Sequence, residues 1–167
     1  MNIIFESDRL VFKELEIKDA KSLYKLNKDA EVMRYTHEKG FSDQNAALEY
    51  IKNYEDYEKF GMGRWTVFLK QEMEFIGLCG LKPVKNVGVD LGYRLMKEFR
   101  AKGFATEAAK TCLKYGFQQL QLEEITGRVL PDNLLSIKIL EKIGMHFKKI
   151  DQCHGIDNAL IYKIDSV

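Results

Sequence analysis

The chain has 167 residues, 46% of them hydrophobic and 31% charged, with two prolines and twelve glycines; this excludes a stapled mini-protein, wholesale disorder and a collagen-like repeat, and predicts a single domain over 1–167. Lys and Arg number 26 against 25 Asp and Glu, a net charge of +1, so no global field draws the protein to nucleic acid or an anionic membrane, and no basic–aromatic stripe argues for nucleic acid. No apolar run approaches the ~18 residues that span a bilayer, and Glu6, Asp8 and Arg9 interrupt any secretory core, which points to the cytoplasm.

In chain order, residues 9–15 set Leu10, Val11, Phe12 and Leu15 among charges and read as a strand near a sheet edge. Asp19 caps a helix with Ala20, Leu23, Tyr24 and Asn27 on one face. Ser42 or Asp43 opens a second helix carrying Ala47, Tyr50, Ile51, Tyr54 and Tyr57 at three-to-four spacing. Between them, 32–41 is a polar-aromatic loop without periodicity, the kind of connection that carries function. After Gly61 and Gly63 the period becomes two, and 65–69, 75–81 and 87–95 form a three-stranded meander.

Residues 103–120 read as a long helix with Ala105, Ala108, Ala109, Cys112, Gly116 and Phe117 facing inward, small enough for a close approach to the sheet. A strand at 124–130 follows, then Pro131-Asp132-Asn133 as turn and cap, a helix at 134–143 ended by Gly144, and strands at 145–150 and 159–164. This order predicts an α/β (α+β) fold: one mixed, mostly antiparallel sheet of about seven strands with helices on both faces. Cys79, Cys112 and Cys153 form no C-x-x-C and no Cys/His cluster, so reduced, mostly buried thiols and no metal are expected.

The stretch from Asp90 to Ala108 runs from a strand through a basic loop into a helix N-terminus. The opening turn of a helix presents N–H groups without intrahelical partners and a partial positive charge, so this junction suits a phosphate or diphosphate. Arg100 and Lys102 supply cations there, Gly103 lets the backbone approach a ligand, and Ala105 keeps the entrance open. The spacing matches neither G-x-x-x-x-G-K-[ST] nor G-x-G-x-x-G.

Arg100-Ala101-Lys102-Gly103-Phe104-Ala105 resembles the R/Q-x-x-G-x-G/A acyl-CoA motif of the GCN5-related N-acetyltransferases. Three further segments are similar to the branch that acetylates ribosomal-protein N-termini. These are Gly103-Phe104-Ala105-Thr106-Glu107-Ala108 against G-Y-A-T-E-A, the element running from Asn133 through Ser136, Glu141, Lys142 and Gly144 to Met145 against N-x-x-S/A-x-x-x-x-E-K-x-G-F, and Ser7-Asp8-Arg9-Leu10 against T/S-x-R-L.

The resemblance implies that the fourth and fifth of the seven strands, 89–95 and 124–130, splay apart and that acetyl-CoA wedges between them. Its pantetheine pairs with the opened strand edge near Leu95, Met96 and Lys97, whose N–H groups polarise the thioester carbonyl. The diphosphate lies on the N–H groups of Lys102, Gly103, Phe104, Ala105 and Thr106, beside Arg100. Asn133 contacts the pantetheine arm or caps its own helix, and Ser136 stands where a hydroxyl solvates the leaving thiolate. Asp90, two residues before Gly92, takes the place of the acidic residue in the family's A-E-I-G-Y pattern and implies a base acting through water. An Asp90–Arg94 ion pair is the competing structural account, because alternation puts both on one face.

One departure is Leu140, seven residues after Asn133, where many members carry a tyrosine acid. A thiol near pKa 8.5 still leaves without a dedicated donor near neutrality. An α-amine of pKa about 7.8 is neutral roughly a tenth of the time at pH 7, a lysine or polyamine amine near 10.4 below about a thousandth. Sparse base machinery therefore suits a peptide or protein N-terminus, with a small amine (polyamine, aminoglycoside, amino acid) or a catalytically silent acyl-CoA-binding module as alternatives. Arg34, Tyr35, Thr36 and His37, with Tyr50, Tyr54 and Trp65, are the candidate acceptor walls; His37 and His154 receive no role. Exposed strand edges are compatible with a monomer or a homodimer.

Overall fold

A computed structural model of the chain describes residues 2–36, 38–153 and 156–167. It contains one eight-stranded sheet in the order β1-β2-β3-β4-β5-β6-β8-β7. The strands are β1 (Ile3–Glu6), β2 (Leu10–Lys13), β3 (Arg64–Leu69), β4 (Phe75–Val84), β5 (Gly88–Leu95), β6 (Glu124–Val129), β7 (His146–Cys153) and β8 (Ile156–Asp165). The helices are α1 (Ala20–Lys28), α2 (Ala30–Met33), α3 (Gln44–Lys52), α4 (Asp56–Phe60), α5 (Phe104–Gln118) and α6 (Leu134–Lys142). Every neighbouring pair is antiparallel except β5 and β6.

Two elements differ from the sequence reading. The eighth strand, β1, pairs with β2 across a register shift; four residues, Ile-Ile-Phe-Glu, are too few to display a period. The helix read as continuous through Tyr57 breaks after Lys52, where the Asn53 side chain and backbone N–H both bond the Glu49 carbonyl and end α3. Tyr54 and Tyr57 consequently belong to a separate turn that folds back over the start of β3.

Period two on the strands divides the side chains between two helical layers. On one face, α5 packs over β4 and β5 through buried Ala108, Ala109, Cys112 and Gly116, the close approach that small residues permit. Trp65 points into this layer, 1% exposed, edge-on to Phe5 and Tyr115. It is core and not an acceptor wall, because β3 turns its neighbour Arg64 to the opposite face. On that face lie α1, α3 and α4. The Cys79 and Cys112 sulfurs, 33 residues apart in sequence, meet at 3.4 Å between β4 and α5 as free, buried thiols.

No helix among the described residues is long and apolar enough to cross a membrane. Replacing the Trp65 ring leaves a cavity beside the Phe5 and Tyr115 rings, at a cost of about 3–5 kcal/mol. Trp65→Ala is expected to lower the thermal midpoint by on the order of 10 °C in scanning calorimetry, with the sheet retained by circular dichroism.

Candidate active site

The sheet opens at one place. β5 and β6 pair in parallel through two rungs only, Asp90 with Thr126 and Leu91 with Gly127, although β5 continues to Leu95 and β6 to Val129. The Thr126 hydroxyl donates to the Val89 carbonyl at 3.0 Å and fastens the closed end. Beyond the last rung the strands part. Alternate residues of an antiparallel strand aim their backbone groups at one neighbour and then at the other. The Met96 N–H donates to the Ile76 carbonyl at 2.9 Å, so Tyr93 and Leu95 turn theirs to the side β6 has left. Met96 therefore cannot polarise a thioester carbonyl with its N–H, a correction to the sequence expectation. The Arg100 guanidinium reaches the Leu95 carbonyl at 3.2 Å and Glu31 at 3.4 Å, so it is a tethered cation at the rim. Lys97 stands 3.9 Å from Glu31.

The basic loop enters α5 through Gly103, which is left-handed at φ +82°, a conformation that favours glycine. The first intrahelical bond of α5 runs from the Glu107 N–H to the Gly103 carbonyl. The N–H groups of Phe104, Ala105 and Thr106 thus precede any intrahelical acceptor, and Gly103 offers no side chain to cap them. The loop is held from outside. Glu107 accepts from the Ser7 hydroxyl at 2.7 Å, the Arg9 backbone N–H at 2.9 Å and Arg9 Nε at 2.6 Å. Arg9 also donates to the Lys102 carbonyl at 3.2 Å and lies over the Phe104 ring. Two of the spaced sequence motifs are therefore one physical clamp. Lys102 itself sits over the Phe99 ring, its ammonium 5.7 Å from the centroid.

Asp90 is 3% exposed. Its Oδ2 accepts from Arg64 at 2.7 Å and from Arg128 Nη2 at 3.2 Å, and its Oδ1 accepts from Arg128 Nε at 3.1 Å. Arg64 also bonds the carbonyls of Gly80 and Asp90, and crosses β5 directly over Gly92. A Cβ on Gly92 would stand 2.5 Å from the guanidinium carbon, which is why the strand carries glycine there. Arg94, the partner of Asp90 in the competing structural account, instead binds Asn27 and Glu38, each at 3.0 Å. Four residues along a strand is about 13 Å, so one face does not mean one place.

The β3 end of this arrangement is fixed by tyrosines: Tyr54 Oη accepts from the Arg64 N–H at 2.8 Å, and Tyr57 Oη donates to the Arg64 carbonyl at 2.7 Å. Burial pushes both phenols well above their ordinary range, so they hold their protons. With Tyr50 and Phe41 they form a ladder of four rings. Tyr50, 42% exposed, is the member left open as a wall. Arg34–Thr36 follow α2, while His37 and His154 lie outside the described residues.

On the opposite face, Asn133 caps α6 through its Oδ1 and the Ser136 N–H at 3.3 Å. Ser136 Oγ lies 2.7 Å from Tyr93 Oη. Leu140 is 2% exposed and packs under β6 against Gly127. Sequence reasoning missed Arg64, Arg128 and Tyr93. The available signal was a charge in a strand whose neighbours are apolar, but the partner of each is distant in sequence. No group of three or more His, Cys, Asp or Glu able to hold a metal occurs among the described residues.

The comparisons agree with this architecture. Residues 9–146 match the acetyltransferase (GNAT) domain. The chain is 33% identical over 141 residues to the uncharacterized N-acetyltransferase p20 of Bacillus licheniformis, covering 83% of this chain and 79% of that one. The GNAT-family acetyltransferase of Bacillus anthracis superposes with a TM-score of 0.81 at 27% identity over 99% of this chain and 98% of that one. The spermidine N-acetyltransferase of Vibrio cholerae, crystallised with CoA and spermine, shares the fold at 21% identity with a TM-score of 0.79, over 95% of this chain and 96% of that one. The chain belongs to the GNAT family and is an acetyl-transferring enzyme.

Burial raises the Glu107 carboxyl, but the bonds from the Arg9 N–H, the Ser7 hydroxyl and the Arg9 guanidinium outweigh it and hold it below its ordinary 4.5. A depressed folded value means a contribution present above pH 4.5 and lost as pH falls through the lower folded value. Glu107→Gln is expected to reduce stability at pH 7 and to flatten the acid limb of the stability profile below pH 4.5, read by urea unfolding at successive pH values.

Proposed function

We propose that the chain transfers an acetyl group from acetyl-CoA to the α-amine of a peptide or protein N-terminus by direct attack. The observation that carries the cosubstrate is the two-rung pairing of β5 and β6 beside an α5 N-terminus whose first three N–H groups have no intrahelical acceptor. Pantetheine amides take the edge that Tyr93 and Leu95 turn toward the gap. The diphosphate takes the N–H groups of Lys102, Gly103, Phe104, Ala105 and Thr106, with the Lys97, Arg100 and Lys102 cations at the rim. Asn133 orders the α6 end of the gap. The Arg9–Glu107 clamp keeps the loop in this form before ligand arrives.

The acceptor approaches from the face of Arg64, Asp90 and Arg94, against Tyr50. Its lone pair attacks the thioester carbonyl carbon, the C–N bond forms, the C–S bond breaks onto sulfur, and the ammonium proton leaves through water. Asp90 is the terminus for that proton: guanidiniums fill three of about four acceptor positions of a carboxylate, and Oδ1 keeps one. Charge supports an α-amine over a polyamine, since three arginines, 64, 94 and 128, face two carboxylates, Asp90 and Glu38. A polycation gains nothing from that balance. We place the protein in the cytoplasm as a monomer or homodimer.

The test is release of CoA thiol from acetyl-CoA across N-terminal peptides, amino acids, aminoglycosides and polyamines. Release is expected with peptides, rising with pH toward the α-amine pKa of about 7.8, and at least tenfold slower with polyamines. Silence with every peptide while another amine class releases thiol would overturn the α-amine assignment. Asp90→Asn is expected to cut turnover tenfold or more and to destabilise the fold by about 3 kcal/mol, since it leaves two guanidiniums facing each other. Unchanged turnover across pH would remove Asp90 as the proton acceptor.

A further inference from the structure

The face of the gap opposite the arginines holds a hydroxyl pair, Tyr93 and Ser136, whose side chains the proposal above does not use. Tyr93 stands two residues past the last β5–β6 rung, and Ser136 lies in the first turn of α6, the helix that continues from β6. Their oxygens meet at 2.7 Å, with the Ser136 carbonyl 3.3 Å from the phenol. The contact therefore joins β5, beyond its last rung with β6, to the helix that follows β6. We propose that Tyr93 is a positioning residue that donates to Ser136 Oγ and so turns the serine proton toward the sulfur leaving from acetyl-CoA; this rests on the acetyltransferase reading above.

The direction of the bond follows from the hydrogen-bond inventory. A phenol has one proton, and burial, opposed only in part by the Ser136 contact, keeps it on Tyr93. At 2.7 Å that proton goes to Ser136 Oγ in preference to the more distant carbonyl. A serine hydroxyl that accepts one bond still has its own proton to give. The Ser136 backbone is fixed by the Asn133 cap, and a phenol that donates to Oγ excludes the serine proton from its own direction, leaving the others open toward the gap. Leu140, where a phenol was expected from the family pattern, is closed under β6. Tyr93 brings a phenol to the gap from β5 instead.

No proton changes owner on this side of the reaction. The C–S electron pair ends on sulfur, the thiolate accepts a charge-assisted hydrogen bond from Ser136 O–H, and Ser136 accepts one from Tyr93 O–H. A hydroxyl is a weaker acid than a thiol of pKa about 8.5, so the pair stabilises the anion without protonating it.

A structural role and this one separate by ligand. Affinities of CoA and of desulfo-CoA, which carries hydrogen in place of the thiol, are measured by calorimetry from pH 6.5 to 9.5. A thiolate stabilised in the complex ionises below its free value, so the advantage of CoA over desulfo-CoA is expected to grow about tenfold as pH rises, one unit of thiol pKa. Tyr93→Phe and Ser136→Ala are expected to abolish that growth while desulfo-CoA affinity stays within about twofold, and Ser136→Thr to restore it. Tyr93→Phe should also lower kcat about tenfold with KM for acetyl-CoA unchanged. A pH-independent ratio in the wild type, or full growth in Tyr93→Phe, overturns the inference. Failure of both ligands to bind overturns the acetyltransferase reading itself.

Discussion

The early departure of β6 from β5 is the constraint on which the rest of the molecule depends. Backbone N–H and C=O groups inside a sheet are obligatory hydrogen-bonding groups, and leaving them unpaired away from water is costly. A fold keeps such an opening only if it is fixed in place. Here the closed end is fastened by the Thr126 hydroxyl on the Val89 carbonyl. One face is spanned by Asp90 between Arg64 and Arg128, and the other by the Tyr93–Ser136 contact. The gap is thus a built feature, with backbone groups of β5 left unpaired by β6 beyond the last rung.

The same economy governs the basic loop at the start of α5. A helix N-terminus alone attracts anions weakly, and its geometry has to be set before binding if ordering is not to consume the gain. Arg9 does this from the other end of the chain, with bonds to Glu107 and to the Lys102 carbonyl on either side of Gly103. Ser7 and Arg9 lie in the turn that joins β1 to β2, so the loop is referenced to the sheet and not to the solvent. The buried carboxylate of Asp90 is organised on a similar principle: its partners come from β3 and β6, and Tyr54 and Tyr57 set the backbone of the first.

Much of this was legible in the sequence where the determinants are local. The meander, the long α5 with its small inward face, and the Asn133 cap follow from period and capping chemistry, and the basic loop that enters α5 through Gly103 follows from a contiguous segment. What failed was non-local or too short. β1 has four residues and no period. The Asn53 break interrupts an otherwise continuous three-to-four spacing through Tyr57. Trp65 was a candidate acceptor wall, and its 1% exposure makes it core. An Asp90–Arg94 pair was the competing account from a shared strand face, and distance along the strand defeats it. The arginines that do clamp Asp90 come from strands 26 residues before it and 38 after it, a relation that only the folded sheet reveals.

The most direct test of the account is amide hydrogen exchange of the whole chain with and without saturating acetyl-CoA. Slowed exchange at Phe104, Ala105 and Thr106, together with Tyr93 and Leu95, and little change along β1, β2 and β7, is the predicted pattern. Saturating acetyl-CoA that leaves those five amides exchanging as in the free protein would contradict it.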